Sequence, residues 1–173
     1  LVTRFAPLAD YLTIDVSCPN TKNGRMFQDP VRLADLLVRL KAARGDLATP
    51  MLVKLASDLS PEEARAIARV TIAAGLAGLV VANTSAARPE SLRSAAKGER
   101  GGLSGRPIFE ASTRLLAEVR AEIGPGPVLV GVGGVFSGAD ALAKLKAGAN
   151  LVQFYTALVY EGPPVVGRIK REL

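Results

Sequence analysis

The sequence predicts an α/β fold organised around a parallel sheet. Short apolar runs rich in β-branched residues recur along the chain, segments of helical periodicity separate them, and polar residues cluster immediately after the runs. Such alternation implies right-handed crossovers between parallel strands. With 173 residues, 49% hydrophobic and 22% charged, the chain can bury a core. That length is one ordinary domain or part of a larger one, since single barrels often run to about 200–250 residues.

A first strand is expected over residues 11–16, running into Ser17-Cys18-Pro19-Asn20-Thr21. A helix follows over 29–44, with Leu33, Leu36, Leu37 and Leu40 on one stripe. The second strand, 51–55, contains Lys54. Ser60-Pro61-Glu62-Glu63 has the pattern of a capping box with proline at the first helical position, and Gly75 closes that helix. The third strand, 78–82, runs into Asn83-Thr84. Residues 83–106 break the rhythm, being polar, glycine-rich and aperiodic, as functional or disordered connections are.

Helical periodicity resumes over 109–123 through Leu115, Leu116 and Val119. The fourth strand, 128–132, runs into Gly133-Gly134, and Ser137-Gly138-Ala139-Asp140 opens a helix that Gly148 closes. The fifth strand, 151–155, runs into Thr156, and 163–173 reads as a last helix. The near-continuous hydrophobicity of the five runs suits strands covered on both faces. Two architectures fit this order: an open doubly wound sheet, and consecutive units of a (β/α)8 barrel.

Composition removes several chemistries. The chain has no histidine and one cysteine, which excludes a Ser-His-Asp triad, a Cys-His dyad and a His/Cys zinc site within it. A lone cysteine forms no internal disulfide, so a reducing compartment is the simpler expectation. The net charge of +6 is spread along the chain without a Lys/Arg block, and aromatic residues make up only 5%, which argues against nucleic acid. No apolar run approaches the roughly 20 residues of a membrane helix, and no signal peptide is visible. A start at Leu1 suggests a piece of something longer.

The expected strand ends all deliver polar residues to one rim, where parallel α/β folds build their sites. Gly131-Val132-Gly133-Gly134 reads either as a tight turn requiring positive φ or as a backbone cradle for phosphate. Barrels often bind phosphate after their last two strands, and Tyr155-Thr156 supplies the second such loop. Lys54, in an apolar strand, either snorkels to the rim or faces an anionic ligand or electron-rich cofactor. Cys18 is either a buried, inert thiol or an acid–base group, since a thiol titrates near 8.5, within reach of neutral pH. Asn20 and Asn83 serve either turns or the amide edges of a planar substrate.

Six ordered blocks carry a family resemblance. They are Ser17-Cys18-Pro19-Asn20-Thr21, Leu52-Val53-Lys54-Leu55, Val81-Ala82-Asn83-Thr84, the run from Gly101 to Pro107, Gly131-Val132-Gly133-Gly134-Val135, and the run from Leu151 to Leu158. Together they resemble dihydroorotate dehydrogenase, most closely its quinone-dependent class 2 branch. The resemblance implies an FMN-containing (β/α)8 barrel in pyrimidine biosynthesis, with residues 1–173 as the C-terminal portion of a single barrel domain, strands four to eight. By the same resemblance Cys18 holds the position of the base for the C5 proton of dihydroorotate. Asn20, Asn83 and Thr84 match residues around the orotate ring. Lys54 matches the lysine near the flavin N1–C2 edge, Ser104 and Gly105 the FMN-contacting loop, and Gly133, Gly134, Tyr155 and Thr156 the phosphate cradle. No metal is implied. Quinone is the implied electron acceptor. Any attachment to the bacterial cytoplasmic membrane or the mitochondrial inner membrane would lie outside this chain.

Three positions depart from the family pattern. Class 2 members usually carry serine where Cys18 stands, and class 1 members cysteine. Asp15 replaces an asparagine that contacts orotate, and a carboxylate there should repel an anionic substrate unless protonated or turned away. Ala82 stands where a threonine often contacts FMN. Two alternatives follow: a related FMN barrel with another substrate, and a catalytically incomplete fragment.

Overall fold

The five apolar runs form one parallel sheet in which each strand lies beside its neighbour in sequence, from the first to the fifth. This order decides between the two architectures. A doubly wound sheet reverses direction after its first crossovers, whereas consecutive barrel staves advance one place at a time. The computed structural model describes residues 1–17 and 26–173.

The strands are β1 (Leu12–Asp15), β2 (Met51–Lys54), β3 (Gly78–Val81), β4 (Val128–Val132) and β5 (Leu151–Gln153). The helices are α1 (Val2–Phe5), α2 (Pro30–Arg44), α3 (Pro61–Ala73), α4 (Phe109–Ile123), α5 (Gly138–Lys146), α6 (Thr156–Glu161) and α7 (Pro164–Glu172). Caps fix the helix starts. Asp29 accepts from the Arg32 amide ahead of α2, and Ser137 from the Asp140 amide ahead of α5. Ser60 and Glu63 close the reciprocal capping box of α3.

Alternation along the strands divides the core between two faces. Met51, Val53, Leu79, Val81 and Leu129 pack with Leu33 and Leu37 of α2, Ile67 of α3, and Leu116 and Val119 of α4. On the other face Leu52, Val80 and Val130 form a separate buried cluster. Arg65–Glu118 at 2.7 Å and Arg69–Glu122 at 2.9 Å tie α3 to α4. These partly exposed pairs set register more than stability.

Burial on both faces holds for β2, β3 and most of β4, but not for β1 and β5. Those two pair on one side only among the described residues, and Leu151 is 56% exposed. The fifth strand also ends two residues earlier than the hydrophobic run, because Tyr155 is already the N-cap of α6. That short helix was not legible in the apolar pattern of residues 151–158.

The polar segment 83–106 is ordered by hydrogen bonds rather than by periodicity. An antiparallel bridge joins Ser85 to Leu103. The Arg88 guanidinium donates to the carbonyls of Lys97, Glu99 and Gly101. Asp58 accepts from the Ala86 amide and from the Ser85 hydroxyl.

Candidate active site

Because all five strands are parallel, their C-terminal ends open on one rim, and a cleft of about 330 Å³ lies there. Lys54 reaches it from β2, and Asn83 and Thr84 follow β3. Ser104 and Gly105 arrive from the loop before α4, Gly133 and Gly134 follow β4, and Tyr155 and Thr156 follow β5. Every sequence-expected site residue that is described therefore lines this one cleft. Cys18 and Asn20 lie outside the described residues.

At one end stands a polar cluster. The Ser17 amide and hydroxyl both donate to Asp15 Oδ1, at 2.9 and 2.6 Å. Asn83 Nδ2 donates to Ser17 Oγ at 2.8 Å and stands 3.5 Å from Asp15 Oδ2. Lys54 Nζ lies 3.9 Å from the same oxygen. Asp15 is thus bound by its own neighbours, which answers how a carboxylate is tolerated on this rim. Asn83 Oδ1 accepts from the Thr84 amide at 2.9 Å. Both N–H groups of Nδ2 are thereby engaged, and Oδ1 keeps one further acceptor position.

At the other end the glycine turn is shaped by close approach. Gly133 and Gly134 have φ of 111° and 76°, and a Cβ on Gly134 would stand 2.7 Å from the Phe109 Cα. The tight-turn reading of these glycines therefore holds, and it leaves their backbone lining the cleft. Across from them Thr156 Oγ1 donates to Ser104 Oγ at 3.0 Å, joining the two loops. Ile108, Val132 and Phe136 add apolar wall to the cleft, Ile108 beside Gly133 and Phe136 beside Gly105. A cation and amides at one end, apolar walls, and a glycine turn with hydroxyls at the other suit an elongated ligand carrying a ring and a phosphate.

The comparisons with known proteins point the same way. The family model for dihydroorotate dehydrogenase matches residues 1–173. The chain belongs to the dihydroorotate dehydrogenase family. It is 46% identical to dihydroorotate dehydrogenase (quinone) of Rhodospirillum rubrum, over 99% of this chain and 48% of that protein. The mitochondrial dihydroorotate dehydrogenase (quinone) of Mus musculus is also 46% identical, over 99% of this chain and 45% of its own length. Similarity to the quinone-dependent branch, expected from the motifs, is thus borne out. A crystal structure of the Eimeria tenella enzyme with ferulenol superimposes with a TM-score of 0.94 at 36% identity, over 99% of this chain and 50% of that one. The chain spans about half the length of the curated relatives it matches. Among the described residues no helix is long and apolar enough to cross a membrane.

Sequence reasoning missed Ser17, Phe136 and Gln153 at the site. Ser17 could have been found as a member of the first motif block. Phe136 carried no signal in the sequence; its ring meets Arg106, at 4.8 Å, and Tyr160 only in the folded chain.

Proposed function

We propose that the full-length protein oxidises dihydroorotate to orotate with FMN bound along this cleft and quinone as the electron acceptor. In this reading residues 1–173 form the C-terminal portion of a single barrel domain. One observation carries it: nine motif residues, dispersed from Lys54 to Thr156, all line one cleft whose two ends differ in chemistry as a flavin ring and its phosphate do.

The residues present fit that cofactor. Lys54 would sit at the ring end, with its charge beside the electron-rich pyrimidine edge. Ser104 and Gly105 would flank the ribityl chain, and the backbone of Gly133 and Gly134 with Tyr155 and Thr156 would receive the phosphate. When bound, FMN supplies a two-electron acceptor at N5 for the C6 hydride of the substrate. Cys18 takes the C5 proton, so the substrate loses one proton and one hydride and gains the C5–C6 double bond of orotate. Asn20, Asn83 and Thr84 orient the ring amides by hydrogen bonds. Asp15 does not demand a different substrate, since Ser17 and Lys54 already engage its carboxylate.

Anaerobic mixing of the full-length, flavin-loaded protein with dihydroorotate tests the reading. Rapid loss of the oxidised flavin band, and its return on adding quinone, is the expected result. A stable oxidised band would reject dihydroorotate and favour a related flavin barrel with another substrate. Absence of bound flavin would reject the cofactor assignment.

A further inference from the structure

Lys144 is fully buried, at 0% exposure, and is not among the residues that line the cleft. Its stem lies against β4, where a Cβ on Gly131 would come within 3.1 Å of the Lys144 Cβ. From α5 it passes beneath the strand to α4, where Nζ donates to Ser112 Oγ at 2.6 Å and stands 5.1 Å from the Phe109 ring centre. The Ser112 hydroxyl in turn lies 3.3 Å from the Gly133 carbonyl oxygen and 3.0 Å from that of Phe109. Lysine, serine and glycine turn form one continuous chain of contacts behind the cleft.

Burying an ammonium is costly unless an opposite charge compensates it. Among the described residues Lys144 forms no ion pair. Asp140 acts on it through space only, and that carboxylate is engaged elsewhere, accepting from the Phe136 amide at 2.9 Å and standing 3.8 Å from Arg106. A hydrogen bond to a hydroxyl and an aromatic face leave the positive charge largely unanswered. The position next to be filled by negative charge is the cleft side of the Gly133–Gly134 turn.

We infer that Lys144 is the buried cation of an anion site: through Ser112 it steadies the Gly133–Gly134 turn, and from behind it supplies the positive charge that favours a phosphate there. This rests on the proposal that the turn receives the FMN phosphate. Lys144 is a positioning residue, because Ser112 and the turn separate it from the ligand. Field effects of this kind are strong where water is excluded.

The test compares FMN with riboflavin, which lacks only the phosphate, by flavin fluorescence titration of the full-length apoprotein. Wild type should bind FMN more tightly than riboflavin. Lys144→Met and Lys144→Gln should each weaken FMN binding by roughly tenfold, the effect of one charge at moderate distance in a partly dry site, with riboflavin affinity unchanged. Lys144→Gln keeps a donor for Ser112 and carries the comparison if Lys144→Met does not fold. Lys144→Arg should retain the preference for FMN. Equal weakening of both ligands would reduce Lys144 to a packing role, and unchanged FMN affinity in Lys144→Gln would overturn the charge argument. If wild type itself shows no preference for FMN, the phosphate assignment of the turn fails first. A wild-type preference that survives in both neutral variants sinks the role of Lys144 alone.

Discussion

Asp15 and Lys54 are register partners at the ends of β1 and β2, and their charged groups stand 3.9 Å apart on the rim. Paired residues of parallel strands project from the same face, so this ion pair is a direct product of strand register. Ser17 and Asn83 complete the cluster by hydrogen bonds. The cation expected to serve a flavin is therefore shared with a carboxylate.

Asp15→Asn should release Lys54 from that sharing and remove a negative charge beside the site proposed for an anionic substrate. Orotate should bind about 3–10-fold more tightly, as loss of one repulsion in a partly hydrated cleft implies. Titrating the flavin spectrum with orotate measures it. Unchanged or weaker binding would mean that Asp15 is already neutralised or contacts the ligand favourably.

Lys54→Ala leaves Asp15 without its cation and should lower the flavin's reduction potential, its affinity for the protein, or both. Spectroelectrochemistry and the flavin content after gel filtration report the two effects. A variant with full flavin content and an unmoved potential returns Lys54 to a surface role.

Cys18→Ala should slow reduction of the flavin by dihydroorotate about 10²–10⁴-fold, the usual range for a lost general base, and should spare reoxidation by quinone. Cys18→Ser should stay active with an optimum at higher pH, because a hydroxyl is far less acidic than a thiol. Stopped-flow traces of the two half-reactions separate these effects.

Burial, partly offset by Asp140, lowers the pKa of Lys144 from 10.5 to about 8. Between those values the unfolded chain holds a proton that the folded chain has released, so stability rises with pH across that window. Below about pH 8 the folded protein carries the buried charge at its full cost, of order 3 kcal/mol. Urea melts of the full-length protein at pH 7 and pH 9.5 should show this rise, and Lys144→Met should flatten it. A wild-type profile as flat as the variant's would mean that the ammonium is solvated in solution.

The isolated 173 residues should self-associate at micromolar concentration. β1 and β5 each offer an unpaired edge among the described residues, and Leu1, Val2 and Phe5 line an apolar groove with Leu12, Ile14, Leu36 and Leu40. Sedimentation velocity decides the matter. A monodisperse monomer that retains stoichiometric FMN would show that the five-stranded sheet is self-sufficient.

Most helix limits were legible because capping and amphipathic periodicity act over a few residues. Ser60 with Glu63, and Ser137 with Asp140, announce their helices without reference to anything distant. The gathering of Lys54, Asn83, Gly133 and Thr156 on one rim was legible too, since parallel strands must end on the same side. Folding in three dimensions decided the rest. Stepwise strand order separated barrel staves from a doubly wound sheet, a choice that apolar runs leave open because they report burial and not neighbours. Lys144 shares an α5 stripe with Gly138 and Ala141, and that placement of a lysine was the one available hint of its burial. Its partner Ser112 lies 32 residues away, and Asn83 lies 66 residues from Ser17. Such pairs meet only when the crossovers bring their strands and helices together, so no local pattern in the chain encodes them.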